Sequence, residues 1–156
     1  MNQSAPVALG LDFGTESVRA LLADLDGNEL ASSVIPYEHG QITETLPGTG
    51  EKLPPDFAFQ RPSDWINASA RAVRDAVAKA GLSGEEIIGI GVDFTSCTML
   101  PALRDGTPLC LTDQWATEKF AWPKLWKHHG AKSQTERSNE LARARGEKWL
   151  DRYGGI

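Results

Sequence analysis

The sequence predicts an α/β fold, an antiparallel three-strand meander plus a parallel strand with flanking helices. Three observations carry this. Val7 to Leu11, Ser17 to Asp24 and Glu29 to Tyr37 are short strand-like runs that follow one another with only tight turns between them. An amphipathic helical stretch then intervenes. After it comes Ile87-Ile88-Gly89-Ile90-Gly91-Val92, a near-continuous apolar run that reads as a strand paired parallel and buried on both faces.

Taken in order, Val7-Ala8-Leu9-Gly10-Leu11 is the first strand, and Val18, Ala20, Leu21 and Leu22 supply the apolar positions of the second. Asp26-Gly27 is a hairpin turn signal, and Leu30, Val34 and Ile35 mark the third strand. His39 to Arg61 is broken by Gly and Pro and shows little periodicity. A loop of that length inside a domain is usually functional or a cover. Ser63 is the expected N-cap after Pro62, with Asp64 in the first helical turn. Ile66, Ala70, Val73, Ala76, Val77 and Ala80 form one stripe at helical period, with Asn67, Arg71, Arg74 and Lys79 off it and Gly81 as the stop. In the apolar run, Ile88, Ile90 and Val92 share a side, and Gly89 and Gly91 opposite them would let a helix approach. Met99 to Leu103 reads as a further strand ended by Asp105-Gly106, and Trp122 to His129 and Ser133 to Arg145 read as helices, the last stopped by Gly146. The order β-β-β-α-β-β-α-α is unlike a Rossmann unit, whose strands alternate with helices. The closing stretch from Trp149 approaches a Gly154-Gly155 turn, which ordinarily leads into another element, so the architecture is expected to continue past Ile156; a frayed natural terminus is the alternative.

A length of 156 residues, 40% of them hydrophobic and 24% charged, suits one ordinary globular domain. A net charge of −5 gives no basic stripe for nucleic acid. Met1 to Pro6 lacks the basic and apolar regions of a secretory signal, and no run reaches membrane-span length. Cys97 and Cys110, both placed in apolar strand-like contexts, are expected as reduced thiols of a cytoplasmic protein.

The chemically informative string is Gly10-Leu11-Asp12-Phe13-Gly14-Thr15-Glu16-Ser17-Val18-Arg19, in the turn between the first two strands. Asp12 ends a strand. Gly14 has no side chain, so a ligand can approach its backbone. Thr15 and Ser17 offer hydroxyls, successive N–H groups make an anion-binding nest, and Arg19 adds a cation. A carboxylate beside phosphates makes sense with Mg²⁺ between them, through water, because Mg²⁺ holds its hydration shell. Phosphoryl transfer is the chemistry implied. An ordinary hairpin uses the same residue types. Glu16, an acid beside phosphate, is left out of the site.

With the downstream segments added, the chain resembles the FGGY carbohydrate kinases. The resemblance rests on Leu11-Asp12-Phe13-Gly14-Thr15 with Arg19, Tyr37-Glu38-His39-Gly40, Gln60-Arg61-Pro62-Ser63-Asp64-Trp65, Gly89 to Pro101 including Asp93-Phe94-Thr95-Ser96-Cys97-Thr98, Lys124 to His129, and Arg152-Tyr153-Gly154-Gly155. It implies the actin-like ATPase (ribonuclease H-like) fold, here partial, with residues 1–156 as the amino-terminal part of the first domain. It implies ATP and Mg²⁺ as cofactors and phosphorylation of a ketopentose, with L-ribulose to L-ribulose 5-phosphate as the expected reaction of the full-length enzyme. By resemblance, Asp12, Gly14, Thr15, Ser17 and Arg19 face the phosphates and Mg²⁺, Asp12 being the metal residue. Asp93, Thr95, Ser96, Cys97, Thr98 and Trp126 serve the sugar, Ser96 nearest to it. A polar strand end for Thr95 to Thr98, and a core tryptophan for Trp126, are the plainer readings of those residues. His39 is expected simply exposed, and His128 and His129 at the cleft edge. The family's general base, an aspartate, is expected beyond Ile156, since Asp93, Asp105, Asp113 and Asp151 lie in the wrong contexts, so the piece alone is expected to be inactive. A small-molecule sugar is the expected partner, with no nucleic acid and no membrane, and a homo-oligomer of the full-length enzyme is allowed. A kinase for another pentulose or polyol, or a non-catalytic nucleotide-binding module, are the competing readings.

Overall fold

The computed structural model describes residues 5–154, so Met1 to Ser4, part of the stretch read for a leader, and Gly155-Ile156 of the closing turn lie outside the described residues. The elements are β1 (Val7–Phe13), β2 (Ser17–Asp24), β3 (Glu29–Pro36), α1 (Pro62–Ala80), β4 (Ile87–Phe94), α2 (Lys132–Arg145) and α3 (Trp149–Tyr153), with short 3₁₀ turns between. They form a four-stranded sheet in the order β3-β2-β1-β4. β1 pairs antiparallel with β2 and parallel with β4, and β2 pairs antiparallel with β3. The predicted fold class is therefore the observed one. The hairpin after β2 is closed by Asp24, whose carboxylate accepts from the backbone N–H groups of Asp26 (3.0 Å) and Asn28 (2.8 Å), with Gly27 at φ 87°.

Strand alternation sends Val7 and Leu9 of β1 and Val18, Ala20 and Leu22 of β2 to one face, where they are buried under α1. The helix meets them through Ala68, Ala72 and Ala76, small side chains at four-residue spacing that let it lie close to the sheet. Val73, Ala76, Val77 and Ala80 of the predicted stripe do pack here, but its Ile66 end does not. Asp64, Ala68, Ala72 and Ala76 are buried, whereas Ile66 is 70% exposed. Its bulk would hold the helix off the sheet, and the contact face is turned away from it. The helix also begins at Pro62 with Arg61 as N-cap and no side-chain cap, so Ser63 is already inside it. Proline suits that first position because its missing N–H has no partner to lose.

β4 departs further. It pairs with β1 along its whole length, yet Ile88, Ile90, Val92 and Phe94 are 57–67% exposed, and a Cβ added at Gly89 or Gly91 would meet nothing within 4 Å. Among the described residues neither face of β4 is covered beyond Ile87, so the expected burial on both faces is not found. α1 packs chiefly on β2 and β3 and on the Val7 and Leu9 side of β1.

Residues 99–103 form no strand. Met99 and Ala102 make isolated bridges to Lys124 and Pro108, and Pro101 and Pro108 cannot donate to a ladder. The Asp105-Gly106 turn is present, with the Leu103 N–H donating to Thr107 O (2.8 Å). Residues 122–129 are not helical either. Pro123 disfavours helical backbone at Trp122, Lys124 exchanges backbone hydrogen bonds with Met99 (2.9 and 3.1 Å), and the Leu125 N–H donates to Ala58 O (3.0 Å). The long connection after β3 is irregular as expected, but it builds a second core: Leu46, Leu53 and Phe59 pack with Cys110, Ala121 and Trp122. Cys110 thus lies in a core, while Cys97 is exposed in a turn at φ 66° and not on a strand. α2 ends at Gly146 in left-handed conformation, as predicted, and α3 was not foreseen.

Candidate functional site

The β1–β2 turn is tight because the Gly14 N–H donates to Ser17 O (2.9 Å). A Cβ at Gly14 would sit 3.1 Å from that same carbonyl, so the turn requires glycine for close approach. The Gly14 N–H is thereby engaged inside the turn. Thr15 is held twice, its carbonyl by Gln60 Nε2 (2.6 Å) and its hydroxyl oxygen by Trp126 Nε1 (3.1 Å). Ser17 opens β2 and is half-buried. Glu16 turns toward the long connection, its carboxylate accepting from Gln41 Nε2 (2.6 Å).

Register decides what stands beside this turn. Asp12 is opposite Arg19 on β2 and opposite Asp93 on β4. All three are on the sheet face away from α1, at the carboxyl ends of the two parallel strands, where open α/β sheets bind ligands. Neighbouring strands are about 4.8 Å apart, so Asp12 and Asp93 are side by side across the two strands. Arg19 Nη1 lies 3.5 Å from Asp12 Oδ2, with both side chains more than half exposed. Two residues back along each strand, Gly10 and Gly91 leave a shallow concavity of about 490 Å³ that includes Asp12, Arg19 and Asp93. Paired hard carboxylate oxygens at an open surface, with a guanidinium beside them, are a donor set that fits Mg²⁺ with its water and a phosphate. Asp12 would hold that ion and Arg19 the anion, while Asp93, expected to serve the sugar, stands beside Asp12 on this same face.

The second motif joins the first through the Thr95 N–H, which donates to Phe13 O (3.1 Å). The hydroxyls of Thr95 and Thr98 are 3.3 Å apart. They line a mostly apolar concavity of about 390 Å³ on the α1 side of the sheet with Phe13, Trp65, Ile66 and Phe94. Ser96 and Cys97 are exposed at the tip. The structure therefore groups Asp12, Arg19 and Asp93 on one face, Thr15 with Trp126 at the strand tips, and Thr95 with Thr98 on the other face. Trp126 is 53% exposed, which removes the core-tryptophan reading.

Three placements differ from expectation or were not foreseen. His39 is not merely exposed: its Nδ1 lies 2.8 Å from Oδ1 of Asp64, and its backbone N–H donates to Oδ2 (2.9 Å). Asp64 is 3% exposed, so this pair ties the long connection to the start of α1. His128, expected at the cleft edge, is half-buried with partners that the sequence does not reveal. Its ring stacks on Phe59 (5.4 Å) and meets Phe57 edge-on (4.5 Å), and its Nδ1 accepts the Ala58 N–H (3.1 Å). Burial, then the charge of Lys124, lowers its pKa. Gln60, part of the Gln60–Trp65 motif, is 2% exposed. Nothing in the run Phe59-Gln60-Arg61-Pro62 sets it apart.

Among the described residues, no helix is long and apolar enough to cross a membrane. No family model matches the chain. It is 49% identical over 147 residues to a ribulokinase of Anoxybacillus flavithermus, covering 94% of this chain and 26% of that protein. It is 50% identical over 150 residues to a ribulokinase of Mycolicibacterium smegmatis, covering 95% and 27%. The chain thus spans about a quarter of the length of the curated relatives it matches. A gluconate kinase structure from Lactobacillus acidophilus superposes with a TM-score of 0.65 at 20% identity, over 92% of this chain and 24% of that one. That likeness identifies the sheet and its flanking helices as the actin-like ATPase fold. At about half identity over nearly all of its own length, the chain is homologous to the ribulokinases of the FGGY carbohydrate kinase family.

Proposed function

We propose that this chain is the phosphate-gripping, amino-terminal part of the first domain of an ATP-dependent ketopentose kinase that converts L-ribulose to L-ribulose 5-phosphate in the cytoplasm. The observation that carries the proposal is the cross-strand alignment of Asp12 with both Arg19 and Asp93 at the tip of β1, beside the Gly14–Ser17 turn. Family likeness supports a sugar or polyol kinase; L-ribulose is the finer step.

In this reading Asp12 holds Mg²⁺ through water. When bound, the ion would supply neutralisation of phosphate charge. Arg19 offers its guanidinium to a phosphate oxygen, and the Thr15 and Ser17 hydroxyls donate to others. The compact Gly14 turn lets the phosphates come close without a side chain in the way. The exposed indole of Trp126 walls the sugar, and Ser96 and Thr98 present hydroxyls to it. Catalysis of this type is mostly positioning and charge neutralisation. The proton of the attacking sugar hydroxyl goes to an aspartate elsewhere in the full-length protein. Asp105, for one, is engaged in its own turn, where its carboxylate accepts the Thr107 N–H (2.9 Å).

The test is ADP release by the full-length protein with Mg²⁺-ATP, compared across L-ribulose, another ketopentose, gluconate and glycerol. The highest kcat/KM is expected with L-ribulose. A higher value with another compound would move the substrate assignment within the family, and no release with any of them would remove the kinase reading.

A further inference from the structure

We infer that Gln60 is a positioning residue that turns the Thr15–Glu16 peptide into an outward-facing donor for the nucleotide phosphates, an inference that rests on the reading of the β1–β2 turn as a phosphate site. A carbonyl only accepts, so the amide nitrogen of Gln60 must be the end facing Thr15 O, at 2.6 Å. A trans peptide is planar and sets its C=O and N–H in opposite directions. With the Thr15 carbonyl drawn inward to a side chain that is 2% exposed, the N–H of Glu16 is aimed away from the protein body. Trp126 adds to this. Its indole N–H donates to the Thr15 hydroxyl oxygen (3.1 Å), which leaves the hydroxyl proton to donate elsewhere. The two anchors together make this corner of the turn a pair of outward donors, as an anion requires.

Gln60 is itself fixed. Phe59 before it is fully buried and exchanges both backbone hydrogen bonds with Ile42 (2.9 Å each), and α1 begins two residues later at Pro62. The amide therefore carries the position of the second core and α1 to the turn.

The experiment compares the full-length protein with its Gln60→Met and Gln60→Glu variants. Methionine keeps the volume and removes the donor; glutamate keeps the shape and presents an acceptor to an acceptor. The readouts are hydrogen–deuterium exchange over residues 14–17 without nucleotide, KM for ATP and KM for sugar. Both variants are expected to exchange faster in the turn but not in β1 or β4. KM for ATP should rise about tenfold, the scale of one lost buried hydrogen bond, with KM for sugar little changed. Turn exchange like that of the unsubstituted protein would overturn the inference, as would a rise in sugar KM alone. Should either variant lose protection throughout the sheet, the other supplies the comparison, and global loss in both would make Gln60 a folding residue and overturn the positioning role. An unsubstituted protein that neither binds nor turns over ATP would instead overturn the reading on which the inference rests.

Discussion

β1 has a neighbour on each side, and the two are built from similar apolar residues with opposite results. On β2, Val18, Ala20 and Leu22 are all at 0% exposure; on β4, Ile88, Ile90, Val92 and Phe94 are 57–67% exposed. Every residue of β1 is paired on both sides, with one register shift against β4 between Val7 and Ala8. The difference is the third layer within this stretch of chain: α1 covers β2 with its alanine face and leaves β4 exposed beyond Ile87. An apolar run therefore reports that a strand belongs in a sheet, while its burial depends on what crosses above. The site lies along this boundary, with Asp12 on β1 between the covered neighbour's Arg19 and the open neighbour's Asp93.

The sharpest break of the comparison is a matched pair of truncations in the 156-residue chain, followed by urea unfolding. Leu22→Ala should cost about 2–5 kcal/mol. Ile90→Ala should cost less than about 1 kcal/mol, as for a position without a packed partner. Equal costs would mean that β4 is covered in solution. The exposed, pairing-competent edge of β4 also predicts self-association of this chain that Ile90→Lys relieves, read by light scattering.

A smaller effect separates the second core from the first. His128 has its pKa lowered by burial and by Lys124, so the unfolded chain takes up a proton more readily than the folded one. Stability should therefore fall as pH drops through the ordinary histidine value of about 6.5. The physical event is replacement of an acceptor by a donor at Nδ1, opposite the Ala58 N–H. Thermal unfolding from pH 7.5 to 5.5 should show the loss, and His128→Phe should flatten it. A parallel pH slope in that variant would assign the loss to other groups.

The smallest effect is expected at Tyr37, 6% exposed in the first core with a hydroxyl that has no hydrogen-bond partner among the described residues. Burial, then the charges of Asp12 and Asp64, pushes its pKa up to about 12, which keeps it neutral at working pH. Tyr37→Phe removes a polar group that gains nothing there, so stability should be unchanged or raised by up to about 1 kcal/mol. A loss beyond about 2 kcal/mol would show that the hydroxyl has a partner in solution.

Much of the sheet was legible because its signals are local. Asp26-Gly27 marks a hairpin, Gly81 and Gly146 stop helices, and the run from Ile87 pairs parallel. The adjacency of Asp12 and Asp93 follows once those strands are in register. What could not be read depends on distant chain. Ile66 fits the helical stripe, but the choice of alanines as the contact face is made by the sheet beneath. Trp122 to His129 has helical spacing, yet Pro123 and the backbone exchange between Lys124 and Met99 draw it into an extended link. Gln60 is 45 residues from Thr15, and nothing in its neighbours reveals that partner.

The central claim, that the tip of β1 holds Mg²⁺ and the ATP phosphates, is tested most directly by Asp12→Ala in the full-length protein. Turnover with saturating L-ribulose is measured beside the equilibrium Kd for L-ribulose. The account predicts a fall in kcat of about 10²–10³-fold, the scale of losing one preorganised electrostatic group, with the sugar Kd close to its starting value. Unchanged turnover, or a loss confined to sugar affinity, would contradict it.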